Sequence, residues 1–441
     1  MPGPIAASAV IDIKIDTGCI IEIRRPGASG EEVLLRTESD LSLTQLSSLR
    51  RDFRKSLDRL RVAMAHISQQ NLAYVIESIG AFHRDGREIV RVLFGFDRDR
   101  LAPARAAEIL RAELLPAESP DLPFNSDALA PRLLVVRASD DYGLSLEMLP
   151  LLGPRTPKTG VTLEDLSQLV RDFPCFSAIV QRGRIPLSNR VLENDPKLPV
   201  RFYGHLGVNG TGRIRDFFKR DAIELDQEWP GGGPIEGRAT AVLADRLWNH
   251  FRDDGEVPHK IPIQIHHFCC HCEGEGDDAP GTKLRFRDGV PYIRAPTEVE
   301  LSDLNKELND LRADGHSRAD ELRPLVFLNA CAAADSEPNM VGSFSGLFSP
   351  PRFLGFIGTE AVIPDAVAFE FSSSFYEHLL AGSSVGEAMF HARWQMLRRR
   401  KNPLGLAYGL HADPDIRVRR PRLIGSERPP AANFVQAPAC G

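Results

Sequence analysis

Cys331 and His271 are the two side chains whose type and setting could carry covalent chemistry. A thiol attacks as the thiolate, so it needs a base or a cation to bring its pKa down from about 8.5. An imidazole, with an unperturbed pKa of about 6.5, can take that proton and later return it to a leaving amine. Cys331 ends the stretch Pro324-Leu325-Val326-Phe327-Leu328-Asn329-Ala330-Cys331, and His271 ends Ile263-Gln264-Ile265-His266-His267-Phe268-Cys269-Cys270-His271. Both apolar runs are too short for a helix and are bounded by proline or by small and charged residues. They predict strands buried on both faces, as in parallel sheets. Open α/β sheets place their chemistry at the carboxyl ends of such strands. The pair is therefore expected to be a nucleophile and its base.

Two plainer interpretations compete with this one. Cys331 taken alone is a small buried hydrophobe. The cluster His266, His267, Cys269, Cys270, His271 and Cys272 offers soft ligands for a structural zinc. Zinc ligands, however, usually come in separated pairs on turns. On a strand, alternate members point to opposite faces. His267 shares its parity with His271 and His266 does not; both are expected to be ordinary core residues, as is His205 at the end of its own strand. No metal and no cofactor is expected.

The elements that must position the pair follow from periodicity. Val10 to Ile15 and Ile20 to Ile23 flank Asp16-Thr17-Gly18, a β-hairpin signal, with Val33 to Leu35 as a third strand. Leu46, Leu49, Phe53, Leu57, Leu60 and Met64 recur at helical spacing. Further helices are expected near Ile89 to Phe94 and, after a first-turn Pro103, near Ala104 to Leu114. From about residue 130, strands (Leu133–Val136, Ser177–Val180, Val200–His205, Phe353–Gly358) alternate with helices (Ala239–Arg252, Leu301–Leu311, Ala366–Leu380, Val385–Arg398). Leu284–Phe286 and Val290–Ile293 are expected to form a small hairpin around Asp288-Gly289. The pattern predicts an α/β fold with a mainly parallel sheet flanked by helices, preceded by an N-terminal β-hairpin and helical region. Gly231-Gly232-Gly233 is not a phosphate loop, because the lysine and hydroxyl that should follow are missing.

The bulk numbers exclude several classes. The 441 residues are 42% hydrophobic and 26% charged, with a net charge of −6. That balance is globular and argues against direct nucleic-acid binding. No run approaches the roughly 18 apolar residues of a membrane span, and the first residues lack the pattern of a signal peptide. Seven cysteines without framework spacing suit a reducing compartment, so a cytoplasmic location is expected.

Several stretches together resemble a known family. His267-Phe268-Cys269-Cys270-His271 resembles the histidine strand of the CHAT domains, the caspase-like group of cysteine peptidases that includes separase. Leu328-Asn329-Ala330-Cys331 is similar to their nucleophile strand, and Gly358-Thr359 to Val362-Ile363-Pro364-Asp365 to the strand that follows. Phe375-Tyr376 through Leu380-Ala381-Gly382-Ser383-Ser384-Val385-Gly386-Glu387-Ala388 resembles the family's helix pair. Tyr408-Gly409 to Asp413-Pro414 resembles its closing segment, and Leu144 to Pro150 echoes its start. The histidine lies 60 residues before the cysteine, in keeping with the caspase order.

The resemblance implies a caspase-like cysteine endopeptidase with His271 as base and Cys331 as nucleophile. It places the oxyanion between the backbone N–H groups of Cys331 and Cys272. Here Cys272 stands where the family has glycine, so a β-carbon must fit a conformation glycine adopts freely. Separase-like members bind a basic P1 residue with an acid after the nucleophile strand. That position falls on Val362, leaving Glu360 and Asp365 as candidate substrate-binding carboxylates. The implied domains are 1–125, a scaffold or docking region; 126–420, the peptidase; and 421–441, a flexible tail. The implied partners are a protein substrate cut at specific sites and a regulatory or sensor protein, in a bacterial defence or conflict system. The alternative is a non-catalytic caspase-like module that binds partners.

Overall fold

Alternation of apolar and polar residues builds the first sheet. In the computed structural model, strand β1 (Ala7–Ile15) buries Ile11, Ile13 and Ile15 while Asp12 and Lys14 face outward. It pairs antiparallel with β2 (Cys19–Gly27), which pairs antiparallel with β3 (Gly30–Ser39). The residues described are 5–65, 71–115, 131–138, 145–153, 161–182, 191–194, 196–205, 209–219, 222–225, 228–230, 237–248, 262–273, 283–289, 296–313, 323–330, 344–348, 352–361 and 363–419.

Three helices follow: α1 (Leu43–Ala63), α2 (Leu72–Leu93) and α3 (Ala102–Leu114). Ser42 caps α1 through a capping box with Gln45, which satisfies two of the helix's orphan donors. The helix expected near Ile89–Phe94 is the last part of α2, which begins seventeen residues earlier. Gly80 and Gly86 weaken the helical signal of that stretch, yet Gly86 has a packing reason. A β-carbon there would lie 2.7 Å from Pro150 Cδ, so glycine lets the helix approach the 145–153 segment.

The chain then re-enters the first sheet. Strand β4 (Arg132–Arg137) runs parallel to β1, and after α4 (Leu163–Val170) and α5 (Pro174–Ser177) strand β5 (Ala178–Arg182) runs parallel to β4. The order is β3-β2-β1-β4-β5. Hydrogen bonding between β1 and β4 thus carries one sheet across the position near residue 125 where a domain boundary is expected.

A second sheet holds the candidate site. In chain order come β6 (Val191–Leu192), β7 (Leu198–Gly204), α6 (Asn209–Phe218), β8 (Ile223–Leu225), α7 (Ala239–Trp248), β9 (Ile265–Glu273), β10 (Lys283–Arg287), β11 (Thr297–Glu300), α8 (Leu301–Ala313), β12 (Leu325–Ala330) and α9 (Phe344–Leu347). Then follow β13 (Gly355–Thr359), α10 (Asp365–Leu380), α11 (Val385–Arg400), β14 (Tyr408–Ala412) and β15 (Arg417–Val418). The central path is β8-β7-β9-β12-β13-β14, parallel up to β13 and antiparallel at β14. By order of appearance this is 2-1-3-4-5-6, with the reversal of direction between β7 and β9. Crevices at the carboxyl ends of strands beside such a reversal are where doubly wound sheets bind ligands.

Each face of this sheet buries a separate core. Ile265, Phe327 and Ile357 pack with Phe218 of α6 and with Phe371 and Phe375 of α10. Phe268, Val326, Leu328 and Phe356 pack with Leu243 and Leu247 of α7 and with Leu304 and Leu308 of α8. The fold is therefore mixed α/β, a mainly parallel sheet between helical layers with an N-terminal strand region, as expected. β10 pairs antiparallel with β11, a strand not expected from the sequence, while Val290–Ile293, the expected partner, lies outside the described residues. In β11, Thr297 and Val299 are buried while Glu298 and Glu300 reach Arg285 and Lys283 across the ladder.

Candidate active site

The apolar run ending at Ala330 does form a strand, and it lies directly beside the histidine strand. β12 and β9 are parallel, with Phe327 opposite His267, Asn329 opposite Cys269 and Ala330 opposite Cys270. Side-chain alternation gives Cys269 and Asn329 one face and Cys270 the other. His271 is half-buried where β9 runs on past this ladder to pair with β10. Cys331 lies outside the described residues.

Beneath the end of β12 is a buried polar network. Tyr408 Oη donates to Asn329 Oδ1 (2.7 Å), Asn329 Nδ2 donates to Ser372 Oγ (2.5 Å), and Ser372 Oγ donates to the Ala368 carbonyl (2.7 Å). The same Nδ2 lies 3.4 Å from His267 Nε2, and His267 Nδ1 lies 3.1 Å from the Tyr376 hydroxyl. An amide N–H can only donate, so Nε2 accepts and Nδ1 carries the proton. Burial pushes His267 down to about 3 and raises the Tyr376 and Tyr408 phenols above their ordinary values. The network is therefore neutral, and it fixes the strand end by hydrogen bonds. Four of its members, His267, Asn329, Tyr376 and Tyr408, lie in stretches that carry the family resemblance, but nothing in their spacing says that they meet. His266 points the other way, its Nδ1 2.9 Å from the Tyr203 hydroxyl.

The edge around His271 is richer than expected. The His205 ring stands 4.7 Å from the His271 ring in an edge-to-face arrangement, and Asp288 Oδ1 lies 3.5 Å from His205 Nε2. Burial, reinforced by the positive charge of a protonated His271, lowers the pKa of His205. The Cys/His cluster divides between the two sheet faces, with Cys269 accepting from Thr211 Oγ1 at 3.3 Å. Among the described residues no three His, Cys, Asp or Glu side chains converge as a metal site.

The other expected site residues have definite surroundings. Cys272 pairs with Leu284 in the β9–β10 ladder, and among the described residues only Lys401 is a non-glycine with positive φ. Extended backbone accepts any side chain, so the cysteine in place of glycine is not strained. Glu360, just beyond β13, is buried and ion-paired to Arg182, which also holds Glu147 with its Nε 2.9 Å from Oε1. Burial alone would lower the pKa of Arg182, but the two carboxylates hold it above its ordinary value. Asp365 is half-buried in the first turn of α10, where a carboxylate suits the helix dipole. Val362 lies outside the described residues. Neither Arg182 nor Glu147 stands out in the sequence, because an ion pair between distant residues leaves no spacing.

No family model matches the chain, and no curated protein matches it. Among solved structures, two crystal structures of the Saccharomyces cerevisiae separase–securin complex are similar at 11% identity and a TM-score of 0.43. They cover 93% and 92% of this chain, which spans 30% of the chain it matches in each. A further solved structure, of a protease, is similar at 10% identity and a TM-score of 0.40, over 73% of this chain and 71% of that one.

Proposed function

We propose that this chain is a cysteine endopeptidase of the CHAT, caspase-like type that uses His271 and Cys331 to cleave a protein partner. The observation that supports it is the register of β9 with β12. Continued by one residue, it would set position 331 opposite His271, on the face shared by Cys269 and Asn329. Neighbouring strands lie about 4.8 Å apart, so a thiol and an imidazole there could exchange a proton. His271 takes the Cys331 proton, and the thiolate attacks the scissile carbonyl. The backbone N–H groups of Cys331 and Cys272 receive the oxyanion, and His271 returns the proton to the leaving amine. Water then releases the acyl group from the thioester.

Of the candidate substrate carboxylates, Glu360 is engaged by Arg182, so a basic P1 residue would have to share it or use Asp365. A role in a bacterial defence or conflict system, with a regulatory partner on the N-terminal region, follows from the family resemblance.

The test is proteomic. The full chain and its Cys331→Ala variant are each incubated with a host lysate, with candidate activating partners added, and newly formed N-termini are quantified by mass spectrometry. Cleavage at a small set of sites by the wild type and not by the variant supports the peptidase. Equal inertness of the two under every activating condition favours the non-catalytic module.

A further inference from the structure

His205 ends the strand that flanks β9 on the side away from β12. Its backbone N–H donates to the Cys269 carbonyl (2.8 Å), which carries the β7–β9 ladder one residue further. Its side chain is 1% exposed, and its ring meets the half-buried His271 ring at 65° with centroids 4.7 Å apart. Among the described residues, charged groups face the two rings from β10 and the segment after it. Asp288, on the segment after β10, reaches His205, and Arg285 of β10 lies opposite His271 in the ladder. Arg285 is itself held by Glu298 of β11 (2.6 Å).

We propose that His205 is a positioning residue, whose buried ring fixes the orientation of the His271 imidazole at the sheet edge so that it can pair with the Cys331 thiolate. This rests on the assignment of His271 and Cys331 as base and nucleophile. Two imidazoles this close compete for positive charge, and the more buried one loses, because desolvation disfavours its charged form. Burial thus disfavours the charged form of His205. An edge-to-face contact between rings also has a preferred geometry, so His205 limits the rotation that would swing His271 away from its partner strand. A half-buried imidazole at the end of a strand needs such a support to act as a base.

The test needs no substrate. Alkylation of Cys331 by iodoacetamide is followed from pH 5 to pH 10 on the full chain, with the adduct at Cys331 quantified by mass spectrometry. Wild type is expected to react well below the pH of an ordinary thiol, and His271→Ala to lose that low-pH limb. His205→Ala is expected to lower the rate at pH 6 about tenfold, the equivalent of one unit of thiol pKa, while the rate at pH 10 is unchanged. His205→Phe, which keeps a ring in the pocket, is expected to recover at least half of the loss on a logarithmic scale. The proposal is overturned if His205→Ala keeps the wild-type profile while His271→Ala does not, or if His205→Phe does no better than His205→Ala. Coincident profiles for wild type and His271→Ala would instead overturn the dyad, and the proposal with it. Circular dichroism identifies a variant that fails to fold, and His205→Phe then carries the test, with a wild-type profile supporting the role and a profile like that of His271→Ala refuting it.

Discussion

Replacing Arg182 by methionine is expected to cost about 3–5 kcal/mol at pH 8, the usual penalty for removing one partner of a buried ion pair. The side chains of Arg182, Glu147 and Glu360 are 13%, 2% and 4% exposed. Both Glu147 Oε1 and Glu360 Oε1 lie 3.2 Å from the point a β-carbon on Gly409 would occupy, so the two carboxylates face one small space. Methionine fills much of the volume but leaves two negative charges there without a cation. Lowering the pH should relieve the variant. A carboxyl made harder to ionise in the folded state binds a proton that the unfolded chain has released. Stability then falls as pH rises and recovers as pH falls. The deficit is therefore expected to shrink by about 1–2 kcal/mol at pH 5, and adding Glu360→Gln at pH 8 should restore about half of it. Urea unfolding followed by tryptophan fluorescence, with the slope m compared between variants, measures both effects. A deficit below about 1 kcal/mol at pH 8, or one that grows at pH 5, would refute the reasoning.

Three further outcomes test the layers beneath the site. Asn329→Leu strips the Tyr408 hydroxyl of its acceptor and Ser372 of its donor, and is expected to cost about 2–4 kcal/mol in the same assay; a loss under about 1 kcal/mol would contradict the network. Because burial holds His267 at about 3 while the unfolded chain protonates at about 6.5, stability should decline as pH falls through that window, by up to about 1.4 kcal/mol per unit from this residue. His267→Gln should flatten the slope, and an unchanged slope would be evidence against a neutral buried imidazole. Gly355 has φ +116°, and a β-carbon there would lie 2.2 Å from the His411 carbonyl oxygen; Gly355→Ala is expected to cost about 2–3 kcal/mol, read as a lower thermal midpoint, and a neutral effect would mean that β13 and β14 approach less closely.

How much of this was legible in the sequence depended on whether the signal was local. The run Val326–Leu328 announces a buried strand because nothing polar interrupts it, and Ile263–Phe268 does so through Ile263, Ile265 and Phe268 despite the Gln264, His266 and His267 between them. The hairpin at Asp16–Gly18 and the helix from Leu43 announce themselves by turn residues and by the heptad-like leucines. β11 escaped notice because its two glutamates look like a solvated turn until Arg285 and Lys283 are seen across the ladder. Most of α2 is hard to read because Gly80 and Gly86 weaken the helical signal, although Gly86 serves the packing against Pro150. The site was visible as a list of residue types, Cys331 and His271 among them, but its supports were not. His205, Arg182 and the Asn329 network are brought together by strand order and by contacts across 60 to 180 residues, which leave no period in the chain.

If His271 and Cys331 are base and nucleophile, positions 271 and 331 must come within reach of one another, and disulfide trapping measures that directly. In a Cys272→Ser background, His271→Cys gives the full chain a thiol at each position, and neighbouring parallel strands hold Cα atoms within the roughly 4.4–6.8 Å that a disulfide requires. Mild oxidation followed by peptide mapping is expected to show a bond between positions 271 and 331 in most molecules. Its absence, or a bond from position 331 to Cys270 on the opposite face instead, would contradict the account.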